Sequence, residues 1–93
     1  MKICFLMYPW ERIDPESDST LRLIHEAATR GLTVATTTPN SLTVRDSVAH
    51  AFCNVLKRSQ KISASIPAFY RAAQFKRCKL PLAGFDAIIM RTN

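Results

Sequence analysis

Glycine is scarce in this sequence, which has only two, Gly31 and Gly84, among its 93 residues. Neither the dinucleotide-binding pattern G-x-G-x-x-G nor the P-loop pattern, both of which cradle phosphates on backbone N–H groups, can be written with these two positions. The sequence also lacks a pair of carboxylates suited to magnesium and an evident general base. We therefore predict that the chain alone has no catalytic residues, no nucleotide site and no metal site.

Long apolar runs are missing as well. The longest one near the start covers residues 3–7, whereas a membrane helix needs about 20 apolar residues and a signal-peptide core about 7 to 15. The sequence therefore predicts a cytoplasmic protein without a membrane partner. With 47% hydrophobic and 22% charged residues, the composition is that of a globular protein, and the length suits a single domain over residues 1–93.

Cysteine occurs in an odd number, and Cys4, Cys53 and Cys78 are far apart in the sequence. This spacing fits neither a disulfide framework nor a metal-binding knuckle. His25 and His50 are likewise isolated from other ligands. We predict reduced thiols and no metal, with Cys4 in the core and Cys78, between two cations, as the one thiol to test for reactivity.

Acidic residues are absent from residues 57–79, which hold seven Lys or Arg side chains and account for the net charge of +6. Such a segment usually forms a solvated face or a face that meets another domain. The alternative is a stand-alone anion-binding or nucleic-acid-binding module in which Phe69, Tyr70 and Phe75 stack on bases. We consider nucleic acid the weaker alternative, because a chain of this length needs most of its aromatic residues in its core.

The first third of the chain has the pattern of a β-α-β unit. Residues 2–8, KICFLMY, form a near-continuous apolar run that is closed by Pro9, as in a strand buried on both faces of a parallel sheet. Asp18 is a good N-cap for a helix ending at Arg30, where Gly31 supplies the left-handed residue. Residues 33–38 are rich in β-branched side chains and predict a second strand. The loop between the first strand and the helix lies where open α/β sheets bind ligands.

The rest of the chain is less regular. Residues 42–56 favour an antiparallel hairpin, although a helix after Asp46 also fits the apolar spacing. Residues 58–67 lack a period and predict a loop or a mobile edge. The aromatic residues that follow indicate a strand or short helix leading to Lys79, and residues 86–91 predict another buried parallel strand. Because the sequence stops directly after that strand, we expect the chain to be a truncated part of a longer protein.

Four segments occur in a specific order: KICFLMYPWERI, DSTLRLIHEAATRGLTV, the hairpin of residues 42–56, and LPLAGFDAIIMRTN. This order resembles the N-terminal domain of bacterial glutathione synthetase and its ATP-grasp relatives. That family has a D-S-[ST] helix start, a helix closing in R-G, a hairpin, and then L-P-L-x-x-[FLY]-D-x-[IV]-[IL]-[ML]-R. The matching positions are Asp18, Ser19 and Thr20, then Arg30 and Gly31, then residues 80–91. The resemblance covers the whole chain, and its last segment is the most distinctive.

The resemblance implies a fold and a reaction. The fold would be a Rossmann-like open α/β sheet of the pre-ATP-grasp type, mostly parallel, with an added antiparallel hairpin. Its architecture would be either three-layer or an incomplete two-layer arrangement. The reaction would be an ATP-dependent ligation in which a carboxylate becomes an acyl phosphate that an amine attacks, joining γ-glutamylcysteine to glycine or a related pair. ATP and magnesium would be held downstream, by the central and ATP-grasp domains of the same chain. A homo-oligomer would also be compatible with the family.

The resemblance further implies a substrate site formed by Asp18, Ser19 and Thr20 with Arg91, Thr92 and Asn93. A helix N-terminus and an arginine both suit a substrate carboxylate. Asp18 could instead be only an N-cap, and Arg91 only an inter-domain ion pair. Thr92 and Asn93 stand where glutathione synthetase tends to have a charged pair, and the basic segment of residues 57–79 is unusual for that enzyme. A related ligase with a different, more acidic substrate is therefore an alternative.

Overall fold

The computed structural model describes residues 1–57 and 61–91 of the chain. It contains two α-helices and six β-strands, with single 3₁₀ turns after β1, β2 and β5. The elements are β1 (Lys2–Met7), α1 (Ser19–Thr29), β2 (Thr33–Thr37), β3 (Leu42–Arg45), β4 (Val48–Leu56), α2 (Ile66–Ala72), β5 (Phe75–Pro81) and β6 (Ala87–Arg91).

The six strands form one mixed sheet with β1 near its centre. Strand β1 pairs in parallel with β2 on one side and with β6 on the other. Beyond β2 lies β4, which is antiparallel to β2, β3 and β5. Since β4 is the one described strand that runs against the others, the prediction of an α/β sheet with mostly parallel strand directions and an added hairpin is confirmed.

The larger core lies between the sheet and the two helices. Alternate residues of β1, Ile3, Phe5 and Met7, point to this side, because successive side chains of a strand face opposite ways. Leu21 and Ile24 of α1 pack against them, and neither side chain has any exposed area. Burial of apolar surface is the dominant favourable term in folding, so this contact stabilises the domain.

The opposite face of the sheet is only partly covered. Its small core consists of Cys4, Ala35, Ala51 and Cys53, and the turn after β5 packs over it through Leu82 and Phe85. Toward both margins of the sheet, apolar side chains on this face stay exposed, including Val44 (73%), Ile88 (41%) and Met90 (69%). The described residues therefore form one sheet layer and one helix layer.

Both ends of α1 follow the sequence prediction. The carboxylate of Asp18 accepts a hydrogen bond of 2.9 Å from the backbone N–H of Leu21, as an N-cap does. After the C-cap Arg30, Gly31 has a φ of +78°. Glycine reaches this left-handed conformation without steric cost, so the chain can turn directly into β2.

The segment of residues 42–56 is a hairpin, so the helical alternative after Asp46 is wrong. Asp46 and Ser47 have φ values of +50° and +64°, as a two-residue type I′ turn requires. Along β4, Ala51 and Cys53 are buried while Phe52 between them is exposed. This period of two is that of a strand and cannot place one face of a helix against a core.

Two sequence predictions need correction. The loop predicted for residues 58–67 ends early, because Ser65 caps α2 with its hydroxyl oxygen 3.4 Å from the N–H of Ala68, and Pro67 lies in the first turn. Proline is tolerated there because a backbone N–H in the first turn has no partner within the helix, so its absence in Pro67 costs no helical hydrogen bond. Residues 58–60 of that predicted loop lie outside the described residues. The strand predicted for residues 86–91 is parallel to β1 but not buried, since it lies at the edge of the sheet with alternate residues exposed.

Within the part of the chain that the structure describes, no helix is both long and apolar enough to cross a membrane.

Candidate functional site

The predicted site residues meet at one edge of the sheet. Strands β1 and β6 are parallel neighbours, so their carboxyl ends lie side by side, and α1 begins beside them. Between these three termini is a groove of about 480 Å³. It is lined by Tyr8, Ser17, Asp18, Ser19, Thr20, Met90 and Arg91. Four of the six predicted residues thus line a single groove, while Thr92 and Asn93 lie outside the described residues.

Arg91 connects β6 to the start of α1. Its Nη2 donates a 2.7 Å hydrogen bond to the Ser19 hydroxyl, and its Nε donates a 3.2 Å bond to the Thr20 hydroxyl. Among the described residues, no carboxylate forms an ion pair with this guanidinium. Because a guanidinium has five N–H donors, Arg91 keeps donors for a ligand while two of them fix its position.

Asp18 is held from two sides. One carboxylate oxygen caps α1 at the Leu21 N–H, and the other accepts a hydrogen bond from the Tyr8 hydroxyl. Burial, followed by this hydrogen bond to Asp18, raises the pKa of Tyr8 above its ordinary value. Tyr8 therefore remains a neutral donor at physiological pH. The sequence placed Tyr8 at the end of β1 but did not single it out, because its contact with Asp18 depends on where the helix starts.

The groove combines donors and an acceptor at close range. The first backbone N–H groups of a helix have no partner within the helix and carry the positive end of its dipole. With Arg91, they favour a carboxylate or phosphate oxygen. The Asp18 carboxylate beside them favours a cation such as an ammonium group. This arrangement suits a ligand with both charges, such as the α-ammonium and α-carboxylate groups of an amino acid.

A second, smaller hollow of about 170 Å³ lies at the carboxyl ends of β1 and β2. Trp10, Thr37, Phe52, Asn54 and Arg77 contribute to its lining. The guanidinium carbon of Arg77 is 5.3 Å from the centre of the Phe52 ring, a cation–π contact. The sequence indicated this edge as a ligand-binding edge but not these side chains, whose direction depends on the register of β4 and β5.

The loop that separates the two hollows is fixed by aromatic packing. Trp10 is stacked on Tyr70 at 5.0 Å between ring centres and meets the edge of Phe75 at 4.9 Å. The Tyr70 hydroxyl donates a 2.7 Å hydrogen bond to the backbone oxygen of Trp10. These contacts anchor the loop after β1 to α2 and β5, so the walls of both hollows are held in place.

The three cations of β5 do not lie on one face of the sheet. Lys79 and Arg77 lie on the helix side of β5 beside Phe52, whereas Lys76 pairs with Val55 on the opposite face. Phe69 is buried, with 3% of its surface exposed, and the other two proposed stacking residues pack against Trp10. Because successive side chains of β5 point to opposite faces of the sheet, its cations are divided between the two faces. The three aromatic residues belong to the core. The arrangement does not favour the alternative of a nucleic-acid stacking surface.

The remaining chemistry-bearing residues lie away from the groove. Cys4 and Cys53 are buried, Cys78 is half-buried, and all three are free. The Nε2–H group of His25 donates a 2.7 Å hydrogen bond to the backbone oxygen of Ser63, a contact that fixes the segment before α2. Over residues 1–57 and 61–91, no three His, Cys, Asp or Glu side chains come close enough together to hold a metal ion.

Comparison with known proteins identifies relatives over the whole chain. The family described as prokaryotic glutathione synthetase, N-terminal domain, matches residues 1–93. A glutathione synthetase of Ralstonia nicotianae (strain ATCC BAA-1114 / GMI1000) is 31% identical over 93 residues. That alignment includes 100% of this chain and 27% of the relative, so the chain spans about a quarter of the length of the protein that it matches.

Proposed function

Because the chain belongs to the family of prokaryotic glutathione synthetase N-terminal domains, we propose that it is the substrate-side domain of an ATP-dependent carboxylate–amine ligase. Residues 1–93 would form one Rossmann-like, pre-ATP-grasp domain of a longer cytoplasmic protein. The central and ATP-grasp domains of that protein would be its partners. Support comes from the match over the whole chain and from the 27% of the relative's length that the chain spans.

The proposed reaction joins γ-glutamylcysteine to glycine, or a related amino acid or peptide pair. ATP would activate the carboxylate as an acyl phosphate, and magnesium would neutralise the phosphates. Neither group fits the described part of this chain. No metal-ligating cluster is present there, and Gly31 and Gly84 stand alone in turns that form no phosphate-binding loop. Nucleotide and metal would therefore be bound by the rest of the longer protein.

The contribution of this chain would be to hold and orient the amino acid or peptide. Arg91 and the N-terminus of α1 would bind a substrate carboxylate, while Asp18 would accept an ammonium group. The hydroxyls of Ser19 and Thr20 would keep Arg91 in place. By the family resemblance, Thr92 and Asn93 would add contacts from the chain that follows β6. Holding the reacting group in one geometry lowers the entropic part of the barrier in such ligations.

The observation that carries this proposal is the pair of hydrogen bonds from Arg91 to Ser19 and Thr20. It joins residues that are 71 and 72 positions apart in the sequence and leaves the cation without an acidic partner among the described residues. A guanidinium held by two hydroxyls and without an acidic partner in the described chain has N–H donors left for a substrate carboxylate.

Nuclear magnetic resonance titration of the chain with γ-glutamylcysteine tests the proposal. One charge-assisted contact at about 1.5–3 kcal/mol plus a helix-terminus contribution of about 1 kcal/mol gives a dissociation constant of about 1 mM or weaker. Shifts should concentrate on the amides of Ser19 and Thr20 and on the side chain of Arg91. Arg91→Gln should weaken binding about tenfold, whereas the matched variant Arg77→Gln should not. Shifts confined to the second hollow, or equal effects of both variants, would contradict the assignment.

A further inference from the structure

Two of the three cysteines are direct neighbours across two strands. Cys53 of β4 and Cys78 of β5 are register partners in an antiparallel pair. They lie on the face of the sheet that carries no helix, since Cys53 belongs to the small core on that side. Cys53 has no exposed surface, while Cys78 is half-buried at the outer strand. Neither residue takes part in the groove around Arg91.

The backbone geometry permits a bond between these two and disfavours the other pairings of Cys53. Directly opposed residues of antiparallel strands have Cα atoms about 4.5–5.5 Å apart, within the range of about 4.4–6.8 Å that disulfides occupy. Cys4 lies on β1, and β2 separates β1 from β4. Two strand spacings amount to about 9.5 Å, beyond the limit of about 7 Å between Cα atoms that a disulfide can bridge.

We propose that Cys53 and Cys78 form an oxidative modification site, at which a peroxide converts the two thiols into a disulfide that links β4 to β5. Hydrogen peroxide transfers one oxygen to the sulfur of Cys78, which becomes a sulfenic acid, and one water is released. The sulfur of Cys53 then attacks the sulfur of Cys78, the S–S bond forms, and the hydroxyl leaves as a second water with the Cys53 proton. The protein loses two electrons and two protons, which the peroxide takes up.

The order of the two steps follows from burial. Cys78 is the thiol that an oxidant can reach from solvent, because the other two are buried. Burial above all raises the pKa of Cys4 to about 12 and also raises the pKa of Cys53, so neither is a thiolate that competes for the peroxide. The Cys53 thiol lies 3.6 Å from the backbone oxygen of Ala51 and also interacts with the Cys4 thiol. The strand spacing given above separates the backbones of Cys53 and Cys4 too far for a disulfide, whereas Cys53 and Cys78 are directly opposed and their side chains lie on the same face.

Peptide mapping tests the proposal on the chain as it is. The native protein is treated with a small excess of hydrogen peroxide, alkylated, and digested with trypsin without reduction. Cleavage at the flanking Lys and Arg residues puts Cys53 in the peptide of residues 46–57, Cys78 in the dipeptide 78–79 and Cys4 in residues 3–12. We expect 46–57 joined to 78–79, with the mass of the two peptides less two hydrogen atoms. The bridge should raise the melting temperature on the order of 10 °C, reversibly with dithiothreitol.

Controls separate selective chemistry from chance oxidation. Cys78→Ser should abolish the cross-link and the melting shift, whereas Cys4→Ala should retain both. Oxidation in urea should give a mixture of all three pairings, because the fold no longer selects one. Links to Cys4 in the native protein, dimers through Cys78, or Cys78 oxidised to sulfinic acid beside a free Cys53 would each overturn the proposal. The mapping of the unsubstituted chain decides the question even if a variant fails to fold.

Discussion

Replacing Asp18 with alanine removes two interactions at once, since this carboxylate caps α1 and accepts the hydrogen bond from Tyr8. Loss of an N-cap costs about 1 kcal/mol, and loss of a hydrogen bond to a charged group about 1.5–3 kcal/mol. Both residues are only half-buried, so the lower part of that range applies, and we expect about 2–3 kcal/mol in total. For a domain of this size that lowers the melting temperature by about 10–20 °C.

Thermal and urea unfolding followed by circular dichroism measure this loss. Asp18→Asn is the matched control, because asparagine caps helices about as well as aspartate and still accepts a bond from Tyr8, so it should cost less than about 1 kcal/mol. Tyr8→Phe should cost about 1.5 kcal/mol, and its effect should largely vanish when Asp18 is already alanine. Fully additive losses, or an Asp18→Ala protein as stable as the original, would refute the coupling between β1 and α1.

Further predictions concern the core, one turn and one thiol. Ile24→Ala, at a position without exposed surface, should destabilise the domain by about 2–5 kcal/mol in urea unfolding, whereas Leu23→Ala, at a 43% exposed position, should cost less than about 1 kcal/mol. Gly31→Ala should cost about 1–2 kcal/mol, because φ is +78° while no neighbour crowds the added methyl group; a loss above about 3 kcal/mol would mean that the turn rearranges. Burial raises the pKa of Cys4 from 9.0 to about 12, so the folded state favours the protonated thiol. Its contribution to stability should be complete below pH 9 and fall as pH rises toward 12. Cys4→Ala should flatten this part of the pH profile, and an unchanged profile would contradict the assignment.

The β1–α1–β2 unit was predictable because local signals agree with the packing. The apolar run of β1 ends at Pro9, Asp18 caps the helix, and Gly31 reverses the chain into β2. Each of these signals acts within a few residues and needs no knowledge of the rest of the fold. The hairpin was harder, since Val48, Ala51, Phe52 and Val55 fit both a helix and a strand. Pairing with three other strands decides the outcome there.

Helix α2 and the exposure of β6 depend on tertiary structure. A seven-residue helix with Pro67 near its start has little intrinsic signal, and Phe69, which anchors it in the core, lies within a segment that also reads as a strand. The residues of β6 are apolar enough for a central strand. Within the described chain, however, no further strand pairs with its free edge, and Ile88 and Met90 stay exposed on the face that carries no helix. Composition cannot distinguish a central strand from an edge strand whose exposed face is apolar.

The sequence named four residues that line the candidate groove, but it did not give the geometry of the groove. The family pattern indicated Asp18, Ser19, Thr20 and Arg91, and the parallel pairing of β1 with β6 explains why they meet. The contact of Tyr8 with Asp18 and the position of Arg77 over Phe52 were missed. Both depend on side-chain directions that are set by register and by the exact start of α1, and the sequence specifies these only through long-range packing.

The central claim is that this domain positions the amino acid or peptide substrate of a ligase, and a chimera tests it most directly. The aligned 27% of the Ralstonia nicotianae glutathione synthetase is replaced by this chain, and glutathione formation is measured with γ-glutamylcysteine, glycine and ATP. We predict an active chimera in which Arg91→Gln raises KM for γ-glutamylcysteine or glycine about tenfold or more while KM for ATP is unchanged, and in which Arg77→Gln behaves as the unsubstituted chimera. A folded chimera that makes no product, or one whose KM values ignore Arg91→Gln, would contradict the account.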